Sequence, residues 1–528
     1  MPVFRPAGPT RVAARRREAK QVGRAQGVKA RTDGPQPLPR VPTGVAQLDI
    51  ILGGGFLKGG SYIVSGAPGT GKTIFGNQAC FRHVAAGGKA LYVTLLSESH
   101  GRMLAYISNL TFFDPAAVGD ALHYVSAYET LRTDGLKGLL TFLRKMIKRY
   151  GATLLVIDGI VRAESASTNA EDFKVFVHEL NIVLSLLGCT AILLTNALAE
   201  SNSYAARTMV DGLLQLDDLM DGVRAVRQLI ILKFRGSDYL RGAHFFEIGS
   251  DGLRIYARVE SMLATPTNVP EANSERSGLG IRNLDQMMGG GARRGTATLV
   301  LGSSGTGKTI LGMHFLSEGA RLKEPGLYFG FFESPARFLK KGDDLGLQLS
   351  KHAGTGLLEV IWQPTGGLIM DSLAERIFEA VRRGKVKRLV IDSISGFEES
   401  VVRPERLGMF FTSVTNELRG LGVTTLLTEE MRELFGAEVQ IPVSGVAGFA
   451  ENIILVRQLE IRSELKRAIA VMKTRETGHD DKLRELKITD TGMDIGPPFE
   501  FEEAVLTGGG MRRRPSEDPA SAKEGRQP

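Results

Sequence analysis

The chain has 528 residues, 43% apolar and 23% charged, a length that suits about two to four domains with large buried cores. Two cysteines, Cys80 and Cys189, argue against a disulfide framework or a cysteine metal site, and no apolar run of about 18 residues offers a membrane span. A reducing, cytoplasmic setting is therefore the expectation. The formal net charge of +8 equals that of residues 1–40 alone, where ten Lys or Arg face two acids, so the rest of the chain carries no net basic field.

Residues 1–40 are rich in Arg, Ala, Gly and Pro and read as a disordered basic tail. Their Arg15-Arg16-Arg17 cluster could dock on nucleic acid or another acidic surface, but a solvated tail is the favoured reading.

From Val41 a first repeat begins, with TGVAQLDIILGGGFLKGGSYIVSGAPGTGKT matched from Leu279 by LGIRNLDQMMGGGARRGTATLVLGSSGTGKT. Gly44 pairs with Gly280, Leu48-Asp49 with Leu284-Asp285, and glycines 53–55 with 289–291, all at the offset of 236 residues that separates Lys72 from Lys308. An internal duplication explains this, with domains over 41–260 and 277–507, a linker over 261–276 and a disordered tail over 508–528.

Each repeat runs a short apolar segment into G-x-x-x-x-G-K-T, the P-loop pattern. Gly66, Gly69, Thr70 and Gly71, and likewise Gly302, Gly305, Thr306 and Gly307, let successive backbone N–H groups turn toward phosphate oxygens at a helix N-terminus. Lys72 and Lys308 then reach the β- and γ-phosphates of ATP, and Thr73 and Thr309 are placed to hold Mg²⁺.

Strands are expected at KALYVTLLSES (89–99) and PGLYFGFFES (325–334), each after a helix-period segment. The next strands, ATLLVIDGI and KRLVIDSIS, end in Asp158 and Asp392. A buried parallel strand closing on an acid beside a P-loop is the Walker B arrangement, whose aspartate orients Mg²⁺ or its water. CTAILLTNA (189–197) and VTTLLTEE (423–430) follow. Their ends, Thr195-Asn196 and Thr428-Glu429, suit a γ-phosphate contact or ordinary strand-end polarity. Such alternation of strands and helices predicts an α/β fold with two doubly wound, mostly parallel sheets.

Both halves close in a β-rich section carrying K-x-R after an alternating strand, Lys233 and Arg235 in one, Lys473 and Arg475 in the other. These cations suit either an arginine-finger role on a neighbouring subunit's triphosphate or a solvated hairpin end.

Tandem P-loops, tandem Walker B strands, the VTLLSES and GFFESP strand ends, the K-x-R pairs and EIRSELKRAIAVMKTRETGHDDKLRELKITDTGMDI together resemble the KaiC family of RecA-like ATPases over Val41 to Leu506. That resemblance implies two RecA-like domains and a homohexamer with ATP at subunit interfaces. It implies also that Lys233, Arg235, Lys473 and Arg475 act in trans, and that an unidentified regulatory protein reads the nucleotide state.

Two departures stand out. The family's F-E-E-[ST]-P supplies a general base from its first glutamate. Here Phe331-Phe332-Glu333-Ser334-Pro335 puts Phe332 in that place, and the first domain has Ser97-Glu98-Ser99. Glu98 and Glu333 remain the candidate bases. The family's adjacent Ser-Thr phosphosite is replaced by Ala447-Gly448, with Ser444 the nearest hydroxyl upstream. Slow ATP hydrolysis in a signalling ring is the leading expectation. A Ser/Thr autokinase and a nucleic-acid-associated RecA-like ATPase are the alternatives, the latter resting on the N-terminal tail alone.

Overall fold

The computed structural model describes residues 38–96, 100–167, 169–196, 208–264, 274–366, 368–431, 446–461, 464–475 and 478–499. Glu98, Ser444, residues 1–37 of the tail, most of the linker and the tail over 508–528 lie outside the described residues.

Two nine-stranded sheets organise the chain. The first comprises β1 (Ser61–Gly66), β2 (Ala90–Thr94), β3 (Leu122–Ser126), β4 (Leu154–Asp158), β5 (Thr190–Asn196), β6 (Gly212–Asp221), β7 (Arg224–Phe234), β8 (Ala243–Gly249) and β9 (Gly252–Tyr256). The second comprises β10 (Ala297–Gly302), β11 (Gly326–Gly330), β12 (Leu358–Trp362), β13 (Arg388–Asp392), β14 (Thr424–Glu430), β15 (Asn452–Ile461), β16 (Glu464–Thr474), β17 (Arg484–Thr489) and β18 (Gly492–Pro498). Their spatial orders are β3-β2-β4-β5-β1-β6-β7-β8-β9 and β12-β11-β13-β14-β10-β15-β16-β17-β18, one topology used twice. From β3 to β6, and from β12 to β15, neighbours are parallel; the remaining pairings are antiparallel. The expected mostly parallel α/β architecture is therefore present in both halves.

The parallel strands are apolar on both faces because helices cover both. In the first half, α1 (Lys72–Ala85) packs Phe75 and Phe81 on the face that carries Val156 and Ile192. The opposite face, with Leu155 and Leu193, receives Leu139 and Leu143 of α2 (Tyr128–Tyr150) and Phe176 and Leu180 of α3 (Ala170–Leu187). In the second half, α4 (Lys308–Arg321) covers the face of Val390, and α6 (Met370–Gly384) and α7 (Leu407–Gly420) cover that of Leu389. A further helix, α5 (Pro335–Asp344), follows β11. Each fully buried Leu, Ile or Phe here contributes about 1.5–3 kcal/mol of burial free energy.

Structured segments stand at the expected boundaries. Arg40 opens a two-stranded ribbon with Phe56–Leu57, and its guanidinium donates to the carbonyls of Leu52 (2.9 Å) and Gly55 (2.8 Å). Arg276 does the same in the second half, reaching Met288 (3.0 Å) and Gly291 (2.7 Å). In each repeat an arginine just before the expected start thus ties down the triple-glycine loop. At the other boundary, Val259 and Leu263 pack into the second half's core from a one-turn helix over Val259–Met262. The opening residues of the expected linker thus belong to this docked segment.

Arg406 anchors that segment electrostatically. It bonds Glu260 (2.6 Å) and Asp371 (2.8 Å), and all three side chains are almost fully buried. Asp371 also accepts from the Val259 N–H at 3.1 Å.

Candidate functional site

The two P-loops leave the C-terminal ends of β1 and β10, the central strands of their sheets, where a doubly wound fold presents ligands. Gly66 and Gly302 are obligatory on steric grounds. A Cβ at Gly66 would lie 2.4 Å from the Leu216 carbonyl oxygen, and one at Gly302 2.3 Å from that of Val456. Gly71 (φ 98°) and Gly307 (φ 105°) hold left-handed backbone at the helix starts, which only glycine adopts without strain. Gly69 and Gly305, also at positive φ, carry the loop's curl. Thr70 and Thr306 close it by donating to the carbonyls of Ala67 (2.9 Å) and Ser303 (2.8 Å).

Lys72 donates to the carbonyls of Gly66 (2.9 Å) and Ala67 (2.8 Å), and Lys308 to those of Gly302 (2.7 Å) and Ser303 (2.8 Å). Both ammonium groups thus sit over their own loops. Burial lowers the pKa of each. Asp158 opposes the shift at Lys72, whereas Glu430, Asp392 and Glu429 together oppose it at Lys308. Among the described residues, more carboxylates act on Lys308 than on Lys72.

Each P-loop threonine meets its strand-end aspartate. Thr73 Oγ1 lies 3.3 Å from Asp158 Oδ2, and Thr309 Oγ1 lies 2.8 Å from Asp392 Oδ2. Two hard oxygen donors converge in each half, a set that fits Mg²⁺ completed by phosphate and water oxygens. A tyrosine completes both arrangements: Tyr92 donates to Asp158 Oδ2 at 2.8 Å and Tyr328 to Asp392 Oδ2 at 2.9 Å. Burial first, and the neighbouring carboxylate second, raise the pKa of both phenols, so they stay donors. Sequence reasoning missed them, although their positions keep the 236-residue offset and each stands in an L-Y strand motif.

The strand beside the P-loop strand distinguishes the halves. Register pairs Asp158 with Leu194 and Asp392 with Thr428. Thr195 therefore corresponds to Glu429, and Asn196 to Glu430. Thr428 Oγ1 donates to Asp392 Oδ1 at 2.5 Å. Glu429, on the other face, is 2% exposed and accepts from the Ser395 N–H at 3.0 Å. Burial chiefly, and Glu398 next, push its pKa up to about 8 against the pull of Ser395 N–H and Lys308.

Among the candidate bases, Glu98 lies outside the described residues. Glu333 follows β11, but its carboxylate lies 3.5 Å from Lys341 and 3.8 Å from Arg337, both on α5. Phe332 beside it is 64% exposed and offers no acceptor.

The K-x-R cations are grouped together but stand apart from their own P-loops. Lys233 Nζ (2.9 Å) and Arg235 Nη2 (3.0 Å) both donate to the Thr208 carbonyl. Lys473 Nζ donates to the Ala450 carbonyl at 3.0 Å, and Arg475 is exposed. Lys233 is level with Leu213 and so with Ile63; Lys473 is level with Ile453 and so with Leu299. Each is three residues, about 10 Å of strand, short of the glycine that opens its own P-loop.

A family model described as "ATPase: KaiC" matches residues 41–260 and again 278–500. Relatives described as "Circadian clock oscillator protein KaiC" include one from Prochlorococcus marinus, 26% identical over 480 residues, covering 89% of this chain and 95% of the relative. Another, from Rippkaea orientalis, is 27% identical over 494 residues, covering 90% and 92%. "Circadian clock oscillator protein KaiC 1" of Synechocystis sp. is 27% identical over 487 residues, covering 90% and 92%.

Proposed function

The chain belongs to the KaiC family of ATPases, and from that premise we propose that it binds ATP with Mg²⁺ in both halves, hydrolyses it slowly in a ring of its own copies, and signals nucleotide state to protein partners. The observation that carries this reading is the Lys–Thr–Asp–Tyr set found twice at the ends of central strands. On this reading Lys72 and Lys308 swing from their loop carbonyls to the β- and γ-phosphates, and the loop N–H groups and helix N-terminus hold the remaining oxygens. Thr73 with Asp158, and Thr309 with Asp392, would hold Mg²⁺, which neutralises charge on the phosphate oxygens when bound. Tyr92 and Tyr328 fix the aspartate rotamers.

The ring supplies what each half lacks. Lys233, Arg235, Lys473 and Arg475 lie toward the wrong end of their own sheets to serve their own P-loops, which favours a neighbour's triphosphate as their target. A homohexamer is the assembly this family membership suggests.

ATP turnover is favoured over self-phosphorylation. Ala447-Gly448, in a short helix over Val446–Phe449, carries no hydroxyl to receive a phosphoryl group. The test is phosphate release and phosphoprotein formation followed together on the purified protein with ATP and Mg²⁺. Stoichiometric free phosphate with unmodified protein is expected. Mass spectrometry finding the bulk of the chain phosphorylated, at Ser444 for instance, would promote the kinase reading.

A further inference from the structure

At the second site the place of the family-type glutamate is taken by an exposed phenylalanine, and Glu333 is held by Lys341 and Arg337. A carboxylate stands instead on a different strand. Glu430 ends β14, which lies between the P-loop strand β10 and the aspartate strand β13. Its Cα is level with that of Gly302, and the Gly302 carbonyl accepts from both Met431 N–H (3.1 Å) and Lys308 Nζ (2.7 Å).

Strand alternation gives the direction of the side chain. Successive residues of a strand point to opposite faces. Thr428 points to Asp392, on the side where Thr309 and Lys308 lie, and Glu429 points away to Ser395. Glu430 returns to the side of Thr428 and is exposed to solvent there. The first half has Asn196 at this position, an amide that cannot take a proton at neutral pH.

We propose that Glu430 is the general base of the second nucleotide site, holding at the end of β14 the proton acceptor that Phe332 removes from the end of β11. The inference rests on the ATPase reading above. In the step it serves, a water oxygen bonds to the γ-phosphorus while the bond from phosphorus to the β,γ-bridging oxygen breaks. The electron pair of that bond leaves with ADP. The water's proton passes to the Glu430 carboxylate, and Glu430 releases it to solvent once phosphate departs. Lys308, on the same carbonyl as the Glu430 strand end, draws charge from the leaving side.

The experiment uses the full chain carrying Lys72→Ala, so that turnover reports the second site alone. Phosphate release, ATP binding and trapping of Mg²⁺–ADP–aluminium fluoride are measured with and without Glu430→Gln. The expected result is a loss of about 10²-fold or more in phosphate release, the scale of a missing base, with ATP binding retained and the trapped complex weakened. Glu430→Asp should restore part of the rate, which a merely structural role would not require. Turnover within about twofold of the Lys72→Ala parent would overturn the proposal, as would loss of ATP binding together with turnover. A Lys72→Ala parent that releases no phosphate, beside an active wild type, overturns it too while leaving the ATPase reading intact. An inactive wild type removes the ATPase reading itself.

Discussion

Thr428 donates its hydroxyl hydrogen to Asp392 Oδ1 at 2.5 Å, a bond the first half cannot make because Leu194 stands opposite Asp158. Asp392 is thereby held by Thr309, Tyr328 and Thr428, on both carboxylate oxygens. The duplicated halves share topology but differ in this bond. Thr428→Val keeps the shape and removes the donor. It is expected to destabilise the second half by about 1.5–3 kcal/mol, the range for a hydrogen bond to a charged group. Thermal melting with and without nucleotide measures this, and a Leu194→Val control should move far less.

Hydrolysis is expected to be unequal between the halves. The second site has Phe332 where the family pattern places a glutamate, and its proposed base stands on another strand, so it should hydrolyse more slowly and hold ATP longer. Lys72→Ala should lower total phosphate release far more than Lys308→Ala. Single-site variants in the reverse order would contradict this ranking.

Nucleotide binding should support assembly. If the K-x-R residues answer a neighbour's triphosphate, changing Lys72 and Lys308 together to Ala should abolish ATP binding and loosen the ring. Light scattering that found the same hexamer for this double variant without nucleotide would separate assembly from ATP.

Glu429 gives stability a pH dependence of predictable sign. Its folded pKa, pushed up to about 8, lies above the ordinary glutamate value of 4.5, so the folded state binds the proton more tightly than the unfolded state. The stabilisation is complete below the unfolded pKa and is lost as pH rises through the folded one. Glu429→Gln keeps an oxygen for the Ser395 N–H and cannot ionise. It should leave stability at pH 5 nearly unchanged and raise it at pH 8 by about 1–3 kcal/mol. Denaturant melts at the two pH values read the difference.

Arg406 ties the docked segment at Val259–Met262 to α6 through Glu260 and Asp371. Arg406→Ala leaves the buried Asp371 without its cation and Glu260 with Arg258 alone, a change that costs about 3–5 kcal/mol. The same variant should expose the segment after Tyr256 to proteolysis. Limited proteolysis read beside thermal melting checks both.

The duplication was legible in the chain itself, and with it both P-loops, Asp158, Asp392 and the mostly parallel α/β class. These signals are local: a loop needs its glycines within a few residues, and a buried strand must be apolar along its own length. Tyr92 and Tyr328 were legible by the same offset, once repeat positions were compared one by one. Which residues of Thr195-Asn196 and Thr428-Glu429 correspond was not legible, because adjacent strand ends of like polarity carry no register in sequence. Only hydrogen bonding between strands far apart in the chain sets Leu194, and not Thr195, against Asp158. A one-residue slip reverses every side chain. The faces of Glu429 and Glu430, the distance of Lys233 and Lys473 from their own P-loops, and the burial of Arg406 among Glu260 and Asp371 were decided at that level. Each depends on residues brought together by the pairing and packing of whole elements, which composition and spacing do not encode.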